Sequence, residues 1–133
     1  VNRRIMKLTA FQIAFLIHQV TSQIPRPDGS KVSPWAALPE SAKQNAANAV
    51  KELMLTPLSS PKEHHDLWMR PLLEDGWTRG EYSAENKTHP CICEFEELIP
   101  SEQLKDELWQ SLIEVFSKYY SEEDGHEAII AHI

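Results

Sequence analysis

His64, His65 and Trp68 fall within five positions of one another, and Trp77, His89, Cys91 and Cys93 follow over the next stretch of chain. These side chains could ligate a metal, attack an electrophile or stack on a flat ligand. A metal would draw on His89, Cys91 and Cys93 with His64 or His65. The H-x-C-x-C spacing matches no common structural zinc pattern, and alternate residues of a strand rarely converge. No metal is assigned, and core filling is the plainer reading of the thiols. A thiolate–imidazole pair of Cys91 with His89 or His65 is the nucleophilic option. No helix N-terminus lies beside Cys91 to activate it. There are four glycines and no G-x-x-x-x-G-K phosphate loop. Glu94, Glu96 and Glu97 read as surface charges. No catalytic set and no cofactor are therefore assigned, and the chain reads as non-enzymatic.

The rings leave two readings open. His65 and Trp68 stand three apart and share a helix face, and Trp77 follows the end of that helix. They either seal a joint between the helix and a β element or offer a platform to a planar ligand. A stacked base contributes about 1–3 kcal/mol. Phosphate or ribose contacts would then have to come from Arg70, Arg79 or Lys87, which cluster around the tryptophans.

Positioning these residues is the task of about four helices. The first is expected over Lys7 to Gln23. Thr9 with Gln12 forms a capping box, Leu8, Phe11, Phe15, Leu16 and Ile17 recur at helical spacing, and Pro25 and Pro27 stop it. A polar connection spans 24–33. The second helix starts at Pro39 and reaches about Met54, with Ala42, Ala46, Ala49, Val50 and Leu53 on one face. The third opens on Ser60-Pro61-Lys62-Glu63, and Pro71 predicts a kink or early stop. Gly76 caps its end. Strands near 78–83 and 90–95 would form a hairpin, with Ile92 on one face and Cys91, Cys93 and Phe95 on the other. The fourth helix follows Pro100, its stripe running through Leu104, Leu108, Leu112, Phe116 and Tyr119 and widened by Trp109, Ile113 and Tyr120. The expected class is mainly α with a short β-hairpin (α+β), without internal repeats. The tail from Ser121 is acidic, then apolar at Ile129, Ile130 and Ile133. It reads as a docked helix or an interaction segment.

A chain of 133 residues suits one domain, and 41% hydrophobic residues suffice for a core. The net charge of −7 argues against nucleic-acid binding, which needs a basic face. Two cysteines one residue apart do not favour a mutual disulfide, and free thiols fit a reducing cytoplasm. No apolar run is long enough to span a bilayer. The apolar Ala10–Val20 after Asn2-Arg3-Arg4 raises a signal peptide, but no small-residue cleavage site follows.

His65-Asp66-Leu67-Trp68, Gly76-Trp77-Thr78-Arg79-Gly80, Asn86-Lys87-Thr88-His89-Pro90-Cys91, Leu98-Ile99-Pro100 and Lys105-Asp106 together resemble the ryanodine-receptor repeat over about residues 34–118. The family pattern is roughly H-x-x-W, G-W-x-Y-G, N/K-x-x-H-P-x-L, L-P and K-x-x. Arg79 replaces the usual tyrosine, Ile99 replaces leucine, and Pro71 is atypical. Pro34-Trp35, Leu38-Pro39-Glu40 and the first helix look like the stand-alone bacterial and phage versions. The resemblance implies a helical fold with short strands, divided as a helix and linker (1–33) packing on a repeat (34–120), then a tail (121–133). In the calcium-release channels such repeats come in pairs on the cytoplasmic shell, outside the pore. In one pair a nucleotide is held with help from the tryptophan of H-x-x-W, matched here by Trp68 with His65 beside it. The bacterial versions look like sensors of nucleotide-derived signals.

The implied function is non-enzymatic binding of a nucleotide-like planar ligand, with Trp68, His65, Trp77, Arg70, Arg79, Lys87 and His89 as candidate contacts. A single repeat carries half of a paired site, so a homodimer is expected. The alternative is a protein-interaction or structural domain with no small-molecule site.

Overall fold

Helix α1 (Ala10–Thr21) starts at the capping box read from the sequence. The Thr9 hydroxyl accepts the Gln12 N–H at 3.2 Å, and the Gln12 side chain accepts the Thr9 N–H at 2.9 Å. The helix is shorter than Lys7–Gln23 because Leu8 is used otherwise. Its N–H donates to the Tyr119 carbonyl (2.7 Å) and its carbonyl accepts the Ser121 N–H (2.9 Å). The Glu122 carboxylate then accepts the Ala10 N–H at 2.9 Å, placing a negative charge on the first turn of α1. The chain beyond the last helix thus closes back on the start of the first.

The computed structural model describes residues 6–122. The apolar tail at Ile129, Ile130 and Ile133 and the basic Asn2-Arg3-Arg4 lie outside the described residues. Three further helices follow: α2 (Glu40–Leu55), α3 (Pro61–Glu74) and α4 (Pro100–Phe116). Helix α1 packs against both α2 and α4, and α3 packs against α4. The core comprises Leu8, Ala10, Ile13, Ala14 and Ile17 with Trp35, Val50, Leu53 and Ile113. Phe11, Phe15 and Leu16 sit partly buried around it. Ala10–Val20 is therefore largely a core helix. Among the described residues no helix is long and apolar enough to cross a membrane.

Helices α2 and α4 are entered in the same way, a local repeat that the residue types conceal. A 3-10 turn (Trp35–Ala37, then Phe95–Glu97) is followed by an extended leucine, Leu38 or Leu98, with ψ of 144° and 145°. One more extended residue, Pro39 or Ile99, then caps the helix. Pro39 is the cap itself, not the first helical residue as expected. The aromatic residue opening each turn faces inward, Trp35 fully and Phe95 in part.

Helix α3 begins as expected with Ser60, whose hydroxyl accepts the Glu63 N–H at 3.2 Å, and with Pro61 in the first turn. The Glu63 carboxylate reaches one residue further back than the box predicts, to the N–H and hydroxyl of Ser59. The expected stop at Pro71 does not occur. The helix continues to Glu74, because proline removes only the bond to the Leu67 carbonyl and stands on an exposed face near the C-terminus. Beyond it, the Asp75 N–H still reaches the Pro71 carbonyl at 3.1 Å. Gly76, at φ 85°, completes a Schellman cap. Its N–H donates to Leu73 O (3.1 Å), and the Trp77 N–H donates to Leu72 O (2.9 Å). Pro71→Ala restores a donor in an intact helix and is expected to stabilise the protein by about 1–3 kcal/mol. A urea midpoint that fails to rise would show that α3 has already absorbed the proline.

The small β element is present, but it is not the expected hairpin. Strands β1 (Thr78–Arg79) and β2 (Thr88–His89) run parallel, with Thr78 beside Thr88 and Arg79 beside His89. An antiparallel bridge from Ser83 to Thr88 turns the intervening loop back on itself, with Lys87 at φ 55°. A Cβ at Gly80 would lie 3.2 Å from the Thr88 Cβ, so glycine lets the two segments approach. Residues 91–95 are not a strand: Ile92 and Cys93 donate to the carbonyls of His89 and Cys91 in tight turns.

Candidate ligand-binding site

Helix α4 carries Glu102, Lys105, Asp106 and Trp109 at i, i+3, i+4 and i+7, a spacing that puts them on one face. That face meets His64, His65 and Trp68 of α3. The turn after β2 closes the third side with His89 and Cys91, and Leu98 precedes α4. Together these residues line a cavity of about 230 Å³.

Asp106 is the buried hub. Its Oδ1 accepts from His64 Nδ1 at 2.7 Å, and its Oδ2 lies 3.6 Å from His65 Nδ1. The other nitrogen of His65, Nε2, donates to the Cys93 carbonyl at 2.8 Å, so the buried His65 ring is held from both edges. Each imidazole carries an indole. His64 stacks on Trp109 with ring centres 5.1 Å apart, and His65 stacks on Trp68 at 5.5 Å, both inclined by 25°. His89 meets Trp68 edge-on at 5.0 Å, and Tyr82 meets His89 edge-on at 5.7 Å.

His89 Nδ1 accepts the Cys91 N–H at 3.0 Å, which leaves Nε2 to carry the proton of the neutral ring. Burial pulls the His89 pKa below its ordinary 6.5 against the opposing pull of Glu102, so the ring is neutral at pH 7. Burial, then Glu102, pushes the Cys91 thiol from 9.0 up to about 12. Burial also raises Cys93. A thiol held protonated at neutral pH is a poor nucleophile. Cys91 instead points its sulfur at Glu102 Oε1, 3.5 Å away.

The second oxygen of Glu102, Oε2, is shielded from solvent and forms an ion pair with Lys105 Nζ at 2.8 Å. Beyond His89, Glu102 and Lys105, which line both spaces, a wider groove of about 1120 Å³ runs toward Arg26–Val32 and Tyr82.

Of the seven contacts expected from the sequence, the fold brings three to the cavity. Trp68 forms part of its wall with 36% of its surface accessible, beside buried His65 and half-buried His89. The other four stand elsewhere. Trp77 is half-buried and donates to Asp75 at 3.3 Å. Arg79 pairs with Glu97 at 3.0 Å, Lys87 pairs with Asp75 at 3.3 Å, and Arg70 is exposed away from the cavity wall. The cation beside Trp68 is Lys105. Reading residues one by one misses Glu102, Asp106 and Trp109 as site residues and weighs His64 only as a metal ligand. The E-x-x-K-D-x-x-W spacing was the signal available, and the apolar stripe of the same helix drew attention away from it.

Compared with models of known protein families and with curated proteins, the chain matches none.

Proposed function

We propose that the protein is a non-enzymatic binding module, of the ryanodine-receptor-repeat kind, that senses a planar, nucleotide-like ligand held against Trp68. The observation that carries this reading is the accessible indole of Trp68 in the cavity wall, fixed from behind by His65 and from the side by His89. With 36% of its surface accessible at the cavity wall, the indole can be reached by a flat ring. At about 230 Å³ the space suits a base-sized ring and falls short of the roughly 300–1,000 Å³ of sites that enclose a whole drug-sized ligand. The rest of the ligand would lie in the adjoining groove. The protonated Cys91 thiol argues against Cys91 as a nucleophile. The two free thiols suit a reducing cytoplasm.

Titration of purine and pyrimidine nucleotides and cyclic dinucleotides, read by tryptophan fluorescence and thermal shift, tests the reading. At least one is expected to quench, and Trp68→Ala should weaken its binding about 10- to 100-fold with the circular dichroism unchanged. Silence from every compound would leave an interaction domain as the better description. The same module is proposed to act as a homodimer, a second copy standing in for the second repeat. Sedimentation at high micromolar concentration should then show the dimer mass.

A further inference from the structure

The reading of Trp68 as a platform for a planar base can be taken one step further, to the class of ligand. We infer that the site recognises a nucleobase or nucleoside and discriminates against its phosphorylated forms.

Whatever extends from the small cavity into the groove must pass His89, Glu102 and Lys105, the residues common to both. The groove carries three carboxylates, Asp28, Glu81 and Glu102, against two cations, Arg26 and Lys105. Neither cation is idle. Arg26 donates to the Lys31 carbonyl at 2.7 Å and to the Ser30 hydroxyl at 3.4 Å, and Lys105 lies 2.8 Å from Glu102. A phosphate would have to draw one of them away from its partner while facing the three carboxylates. The start of α4 offers no relief, since Glu102 already places a carboxylate in its first turn, where an anion is best received.

The site instead offers acceptors. Glu102 Oε1 is met by the Cys91 thiol at 3.5 Å and Oε2 by the Lys105 ammonium at 2.8 Å, and a carboxylate keeps lone pairs for a further donor. A ribose hydroxyl or an exocyclic amino group is such a donor. His89 supplies the complementary N–H from Nε2, because its Nδ1 is occupied by the Cys91 N–H. Stacking surface, a carboxylate acceptor and one neutral imidazole donor match a base with its sugar, and nothing in the set matches a triphosphate.

The deciding experiment compares adenosine with its mono- and triphosphate, and guanosine with the same series, by tryptophan fluorescence on the wild-type chain. The nucleoside of at least one series is expected to bind about tenfold or more tightly than its triphosphate, with the gap narrowing at high salt. Glu102→Gln should weaken the nucleoside and strengthen the triphosphate. If Glu102→Gln does not fold, the wild-type series still decides. A triphosphate that binds as tightly as its nucleoside, or more so, overturns this inference and leaves the binding-module reading standing. Silence from all six compounds removes this inference, and the binding-module reading falls with it only if the pyrimidine nucleotides and cyclic dinucleotides are silent too.

Discussion

Trp35→Ala is expected to destabilise the protein by about 3–5 kcal/mol, the usual range for emptying a buried aromatic site. Domain stabilities are about 5–15 kcal/mol, so this one change could consume most of the margin. Trp35 is 1% exposed and sits where α1 meets the turn into α2. Phe11 and Phe15 meet its ring edge-on at 5.4 and 5.9 Å, and His18 lies 5.7 Å away. Lys43 places its ammonium 5.9 Å from the ring centre while pairing with Glu40. One atom works against the rest: the buried Nε1–H has no hydrogen-bond acceptor. Trp35→Phe removes that orphan donor and keeps much of the aromatic surface, so its loss should be well under half that of alanine. Chemical denaturation of the two variants measures both. Equal losses would mean that indole size alone, and not the unpaired donor, governs the site.

Asp106→Ala should act on stability and site together. Removing the carboxylate strands the His64 Nδ1–H, whose acceptor it is at 2.7 Å, and takes away the oxygen facing His65 at 3.6 Å. A buried group left unpaired costs about 1–3 kcal/mol, or about 4 °C of melting temperature per kcal/mol in a chain of this size. The rings of His64 and His65 support Trp109 and Trp68, so ligand binding should fall as well. Asp106→Asn keeps an oxygen for His64 and should recover part of both losses. An unchanged melting point for the alanine variant would show that desolvating the carboxylate offsets its hydrogen bonds, and that packing alone holds the rings.

The features legible in advance were those settled between near neighbours in the chain. The Thr9–Gln12 box, the Ser60 cap and the Gly76 turn each depend on groups within about five residues, so residue type and spacing determine them. The early stop at Pro71, one of its two expected outcomes, does not occur, because the loss of one hydrogen bond near a helix end is small beside the packing of the whole helix. Strand direction was beyond reach. Two-residue strands carry no usable alternation, so neither the parallel pair nor the antiparallel Ser83–Thr88 bridge is signalled by residue spacing.

The sequence by itself determined a mainly α chain with a small β element, seen as four α-helices among the described residues, and seven candidate contacts of which only His65, Trp68 and His89 meet at one cavity. The α4 stripe read from the sequence does face the core at Trp109, Leu112, Ile113, Phe116 and Tyr120, and the tertiary structure alone decided that its N-terminal end turns a polar face inward. Apolar periodicity points to a stripe that includes Leu104, yet Leu104 is 43% exposed while Asp106 is buried. A buried carboxylate is tolerable only with partners, and those of Asp106 stand 42 and 41 positions away, at His64 and His65. Periodicity within one helix cannot register a partner on another. A separation of 18 positions likewise hid the pairing of Arg79 with Glu97, which takes an expected ligand contact out of the site.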